Sequence, residues 1–187
     1  MEYTTSAATG VQLNEEVSDS IGRSEIPILT VMLTTRFATV SDVALITAHR
    51  RAMFAHMGTS EPSVLDEMSR HFEPWVKRLM EAGRYVGWVV EDGDLPVASA
   101  GYFELDWPPH PLEPGACHRG YLLNFWVEEE YRGRGVARSL VQESLAEARR
   151  RGVRVVALHA SDAGRPVYQS MGFRGTNEMY RVDALTT

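Results

Sequence analysis

Apolar residues recur along this chain with two spacings, and the change from one to the other outlines its elements. Leu33 to Ala38 reads as a strand, and Ser41-Asp42 supplies an N-cap for a helix with apolar positions Val43, Leu45, Ile46, Met53 and Phe54, stopped by Gly58. A second helix is predicted from Ser63 to about Ala82, with Leu65, Met68, Phe72, Trp75, Val76 and Leu79 on its apolar side and Pro74 marking a kink or division. Strands near Tyr85 to Val90 and Val97 to Leu105 follow, joined by Glu91-Asp92-Gly93-Asp94, which has the chemistry of a hairpin turn, so they should pair antiparallel. Trp107 to Arg119 holds four prolines and cannot continue a sheet, so it should lie over an edge or a pocket mouth. An apolar strand carrying Asn124 to Val127 leads into a helix from Val136, with Val136, Leu140, Val141, Leu145 and Ala148 on one face and arginines at its end before Gly152. Val153 to Leu158 reads as another strand, then a short helix carries Tyr168, and Phe173 opens a last strand.

That order gives an α/β (α+β) fold with a mixed sheet packed by helices. Residues 1–30, rich in Ser, Thr, Glu and Gly without periodicity, read as a mobile extension, and 31–187 as a single domain. No apolar run approaches the roughly 20 residues a membrane helix needs, and the start lacks the blocks of a signal peptide, so the expectation is a cytoplasmic protein without a membrane partner. Cys117 is the only cysteine, which excludes an internal disulfide and a cysteine-based zinc site, and no metal is expected. A net charge of −6 argues against nucleic acid as a partner and suits a cationic acceptor. Arginines 149 to 154 at the end of the Val136 helix read as a solvated face.

The richest chemistry lies in the run from Asn124 to Ala137, where a strand passes through an acidic turn into a glycine-containing helix start. The first N–H groups of a helix have no internal acceptor and sit at the positive end of the macrodipole, so they can grip a phosphate. A P-loop would need a Gly-Lys-Ser/Thr triplet, which is absent. A dinucleotide-binding turn would need glycine at 138, which is arginine, and an acidic residue where His159 stands. Arg132-x-x-Gly135-x-Ala137 instead resembles the Q/R-x-x-G-x-G/A signature of the GNAT superfamily of acyl-coenzyme A-dependent N-acyltransferases. Gly164-Arg165-Pro166-Val167-Tyr168 through Gly172-Phe173 is similar to a second GNAT signature, with one strand between the two. The strings Trp-Pro-Pro, Leu-His-Ala-Ser and Thr-Asn-Glu-Met resemble an uncharacterised subgroup of that superfamily.

The resemblance implies a GNAT-type mixed, mostly antiparallel central sheet flanked by helices, and acetyl-CoA as acyl donor. It assigns the pantetheine arm to the strand with Phe125, the carbonyl-polarising amide to Val127, and the diphosphate to the amides of Arg132, Gly133, Arg134, Gly135, Val136 and Ala137, with side-chain help from Arg132 and Arg134. Tyr168, in contact with the cofactor, is the expected general acid, because a phenol with a pKa near about 10 stays protonated at neutral pH. Ser161 stands where many members carry a pantetheine-binding asparagine. The glutamate base common in the family has no counterpart in Cys117-His118-Arg119-Gly120, which leaves His118, with Asn124 holding a water, as candidate catalytic groups, and His110 and His159 with the same titration range.

Phe54, Met57, Trp107 and Arg119 are the expected acceptor-binding residues. Arg119 and Asn177-Glu178 offer contacts for a carboxylate or an amine, and Glu104 and Asp106, on one face of a strand, for a cation. The expected function is transfer of acetyl from acetyl-CoA to the primary amine of a small-molecule or amino-acid-like acceptor, by direct attack in a ternary complex, with a homodimer as one assembly open to the protein. Acetylation of a protein N-terminus or lysine, and a non-catalytic acyl-CoA sensor, are the alternatives.

Overall fold

A computed structural model describes residues 32–58 and 60–176. The N-terminal extension, Asn177-Glu178 and the part beyond Thr176 of the strand expected from Phe173 lie outside the described residues. The elements are β1 (Leu33–Phe37), α1 (Val43–His56), α2 (Pro62–Glu81), β2 (Tyr85–Asp92), β3 (Leu95–Asp106), β4 (His118–Val127), α3 (Val136–Arg150), β5 (Val156–Leu158) and α4 (Arg165–Ser170). The five strands lie in the order β1-β2-β3-β4-β5, antiparallel except for the parallel pair β4 and β5. The hairpin expected at Gly93 joins β2 to β3.

Two apolar layers sandwich the sheet. Val43, Ile46, Phe72, Val76 and Leu79 of α1 and α2 pack with Tyr85 on one face. Val136, Leu140, Val141 and Ala148 of α3 pack with Trp88, Val90, Ala100, Tyr102 and Leu122 on the other. Pro74 neither ends nor divides α2, whose helical turns continue through it.

Three sequence expectations are corrected. The strand read from Val153 begins only at Val156, because Gly152 and Val153 close α3: Gly152 N–H donates to Arg149 O at 3.0 Å and Val153 N–H to Ala148 O at 2.9 Å. Glu147, on the polar side of the helical pattern, is buried, and Arg151 is no solvated cation, because its guanidinium binds Glu147, Glu104 and the Gly83 carbonyl. Glu104 is therefore tied to α3 rather than offered to an acceptor.

A β-bulge in β4 sets up everything that follows. Ser99 faces Trp126 and Gly101 faces Leu123, so Asn124 and Phe125 together oppose the single residue Ala100. Asn124 takes φ 57, the left-handed region that asparagine enters more readily than most side chains. The extra residue puts neighbours Leu123 and Asn124 on the same face, toward α1, while Phe125 and Val127 face α3 and α4.

Candidate active site

Just before the bulge β4 leaves β5. Their pairing ends at Leu122 and Leu158, so the edge of β4 from Leu123 onward faces a gap rather than a strand. Glu128 N–H donates to Val97 O at 2.9 Å, and the alternation of an antiparallel ladder then turns the N–H and C=O of Val127, opposite Ala98, away from β3. The carbonyl accepts a hydrogen bond from Arg132 Nε at 3.0 Å, while the N–H points into the gap.

The gap opens into a cleft of about 920 Å³, walled by α1, the bulged half of β4, the start of α3 and the segment from His159 through α4. At one end stands the N-terminus of α3. Its N-cap, Gly135, has φ 82, and Gly133 has φ 75; both are left-handed, and no side chain caps the helix. A Cβ built on either glycine meets nothing within 4 Å, so glycine is required there by backbone conformation and not by crowding within the protein. Arg132, Gly133, Gly135, Val136 and Ala137 line this end, whereas Arg134 leaves the cleft wall and stacks its guanidinium 5.3 Å from the Tyr131 ring centre.

Tyr168 of α4 also lines the cleft, its ring meeting Phe125 at 6.1 Å and Phe173 at 5.8 Å, both edge-on. Burial pushes its pKa up to about 12. Ser161 lines the same wall, and its Oγ accepts from Gly164 N–H at 3.2 Å, which shapes the turn into α4.

Across the cleft, Arg50, Met53, Phe54 and Met57 follow the helical period along one face of α1. The Arg50 guanidinium lies between two phenyl rings, 4.9 Å from the centre of Phe54 and 4.7 Å from that of Phe72. Its Nη1 donates to Asn124 Oδ1 at 2.7 Å, and Asn124 Nδ2 donates to the Tyr85 hydroxyl at 3.1 Å. An arginine has only donors, so the orientation of the Asn124 amide is determined by this contact. Tyr85 reaches so far because β3 carries glycine beneath it: a Cβ on Gly101 would stand 2.1 Å from the Tyr85 oxygen. Burial pushes the Tyr85 pKa up to about 12 and draws that of Arg50 below its ordinary value.

The expected site residues thus divide. Tyr168, Phe125, Val127, Arg132, Gly133, Gly135, Val136, Ala137, Ser161, Asn124, Phe54 and Met57 come together at the cleft. His118, Trp107 and Arg119 do not line it. His118 begins β4 opposite Asp106, at the end of the strand remote from Val127, and the Arg119 guanidinium stacks 3.7 Å from a ring centre of Trp107. The proline loop is fastened there by Trp107 N–H to Cys117 O at 2.9 Å, so it does not form the lip read from the sequence. Asp106 likewise faces Arg84, at 3.6 Å. Asn124 is 2% exposed, and its amide bonds Arg50 through Oδ1 and Tyr85 through Nδ2.

Three groups escaped the sequence reading. Arg50 is one, although its place one helical turn before Phe54 signals the shared face. The others are Tyr121 and the buried His49. The Tyr121 hydroxyl is hydrogen-bonded to His159 Nδ1 on the cleft wall. His49 Nδ1 lies 2.8 Å from Ser99 Oγ and its Nε2 3.7 Å from Glu128 Oε1, and burial, offset in part by Glu128, lowers its pKa.

The sequence over residues 44–173 matches the family model described as "Acetyltransferase (GNAT) family". Among solved structures, the chain is similar to a GCN5-related N-acetyltransferase from Ralstonia eutropha JMP134, with 35% identity and a TM-score of 0.77 over 81% of this chain and 98% of that one. It is also similar to a predicted acetyltransferase from Clostridium acetobutylicum solved with acetyl-CoA, with 25% identity and a TM-score of 0.75 over 81% of this chain and 96% of that one. A curated relative, N-acetyltransferase 8B of Homo sapiens, is 31% identical over 96 residues, which is 50% of this chain and 40% of that protein. The chain spans less than half the length of the curated relatives it matches.

Proposed function

This chain belongs to the acetyltransferase (GNAT) family, and we propose that it transfers the acetyl group of acetyl-CoA to the primary amine of a small, amino-acid-like acceptor, by direct attack in a ternary complex. The observation that carries the reading is the cleft itself. A strand edge freed by the parting of β4 from β5, an uncapped helix N-terminus at one end and a protonated phenol on the wall are the parts that acyl transfer needs, in one space.

Acetyl-CoA supplies the acetyl group activated as a thioester. The amides from Gly133 to Ala137 would hold its diphosphate at the positive end of α3, with Arg132 and Arg138 adding charge. Phe125 and Ser161 flank the path of the pantetheine arm, and the inward N–H of Val127 is the donor for a carbonyl oxygen gaining charge. Tyr168 keeps a proton on its phenol oxygen for the departing sulfur. His159, paired with Tyr121, takes the role of proton acceptor that the sequence reading gave to His118, since an amine attacks only after losing its proton. Asn124 acts by holding Arg50 in place.

The test is calorimetric titration with acetyl-CoA, followed by thiol release across a panel of amines, amino acids and peptides. Binding with turnover supports the reading, and absence of binding overturns it. A second reading, acetylation of a protein N-terminus, gains from the position of Trp107: the proline loop expected over an edge or a pocket mouth does not line the cleft, which leaves that side open to a peptide. Turnover of peptides but not of free amino acids would favour it.

A further inference from the structure

Arg50 is a cation in a place where the protein offers it no counter-charge. Its guanidinium is clamped between Phe54 and Phe72 and lines the cleft. Of its five N–H donors, one is used by Asn124, and its buried Nε has no partner. The charged or ionisable groups acting on it are the phenols Tyr85 and Tyr121, and no carboxylate among the described residues pairs with it. Among the described residues Arg36 is matched by Asp42 and Glu91 and Arg151 by Glu147 and Glu104, whereas Arg119, which also stacks on a ring and has an unpartnered Nε, does not line the cleft.

A partly buried, rigidly held guanidinium without an anion is costly unless a ligand brings one. The phosphates of the donor do not suit it, because they are assigned to the α3 N-terminus, while Arg50 sits across the cleft on α1. The remaining occupant of that wall is the acceptor. Arg50 presents its unused donors in a planar fork, which matches the two oxygens of a carboxylate. Asn124 and the two phenyl rings prevent the fork from swinging away, so little side-chain freedom is lost on binding.

We propose that Arg50 is the carboxylate anchor of the acceptor site, so that the acceptor is an amino acid whose own carboxylate lies close to the amine that is acetylated. This rests on the acetyltransferase reading above and narrows its substrate class. It also moves the carboxylate contact from Arg119, whose guanidinium is stacked on Trp107, to a residue the sequence did not single out.

The test compares amino acids with their amides and their decarboxylated amines in two assays on the full chain. In the first, thiol release from acetyl-CoA is measured; in the second, N-acetylamino acids and N-acetylamino acid amides are titrated into the protein saturated with coenzyme A. The expected result is a preference of about 100-fold in kcat/KM for the free acid over its amide, and calorimetric binding of the acids but not the amides. Arg50→Gln should lower turnover of acids at least about 10-fold more than that of amides, and Arg50→Lys should restore part of the preference. Equal use of acids and amides by the unaltered protein, or equal loss for both in Arg50→Gln, overturns the proposal. Should either variant fail to fold, the acid-against-amide comparison in the unaltered protein decides alone. If no acceptor is acetylated, the acetyltransferase reading fails, and the binding assay still settles whether Arg50 holds a carboxylate.

Discussion

Asn124 holds Arg50 against the cleft through one hydrogen bond of 2.7 Å, and it does so from a left-handed backbone position inside a β-strand. The bulge and the bond are therefore one device. Asn124→Gly and Asn124→Ala should both destabilise by about 1–3 kcal/mol, since each leaves the Arg50 and Tyr85 groups unpaired. Alanine should cost about 1 kcal/mol more than glycine because of the positive φ, the reverse of the usual order within a strand. Urea unfolding of the pair checks this, and equal midpoints would mean that the bulge relaxes without cost.

Tyr168 carries a pKa of about 12, raised by burial from an ordinary 10.0. Its protonated form should persist through the whole range in which the acceptor amine loses its proton. The rate should therefore rise or level between about pH 7 and pH 10 without an alkaline fall from this residue. A kcat profile that declines near pH 10 would contradict the assignment. Tyr168→Phe should lower kcat about 10²-fold or more while calorimetric affinity for acetyl-CoA is kept.

Gly133 and Gly135 have open space around them and positive φ, so alanine at either position meets strain and not a clash. Each substitution should cost about 1 kcal/mol of stability and weaken acetyl-CoA binding about 10-fold or more, as the amides turn away from the diphosphate. Unchanged affinity in titration calorimetry would remove the phosphate cradle from this end of the cleft.

Asp42 closes the corner between β1 and α1. It accepts hydrogen bonds from both terminal nitrogens of Arg36, at 2.9 and 2.8 Å, and from Thr39 N–H at 2.7 Å. The Arg36 hydrogen bond, against an opposing burial effect, brings its pKa from 3.8 to about 2. A depressed carboxylate contributes stability above its ordinary value and loses it as the pH falls, here between about 4 and 2. Asp42→Asn should cost about 1–2 kcal/mol at neutral pH, with the gap to the unaltered protein closing at about pH 2. Unfolding curves at stepped pH would show whether the gap closes there.

Gly101 gives Tyr85 its room. Gly101→Ala would set a Cβ 2.1 Å from the Tyr85 oxygen and 2.5 Å from its Cζ, so a loss of about 2–3 kcal/mol is expected. Combined with Tyr85→Ala, the same change should cost less than the two single losses added together. Strict additivity in unfolding free energy would show that the ring and the glycine are not coupled.

Most of the elements, the antiparallel hairpin, the glycine-flanked start of α3 and the short helix with Tyr168 are legible in the chain, because each is written in residues near one another. Helical period, turn chemistry and the positions of Gly133 and Gly135 are local properties, and local physics reads them. The α1 side of the cleft, by contrast, exists only in the folded chain. Arg50 reaches the cleft only when α1 packs across β4, Tyr85 reaches Asn124 only over a glycine of β3, the strand between theirs, and Asn124 faces α1 only because one extra residue in β4 reverses the alternation. His118 and Arg119 begin the same strand that carries Asn124, yet they do not line the cleft, because an extended strand carries residues apart at about 3.3 Å each, and Trp107 stays with Arg119 at that far end. Pairing between strands and packing between layers are long-range choices, and they settle which side chains share a space.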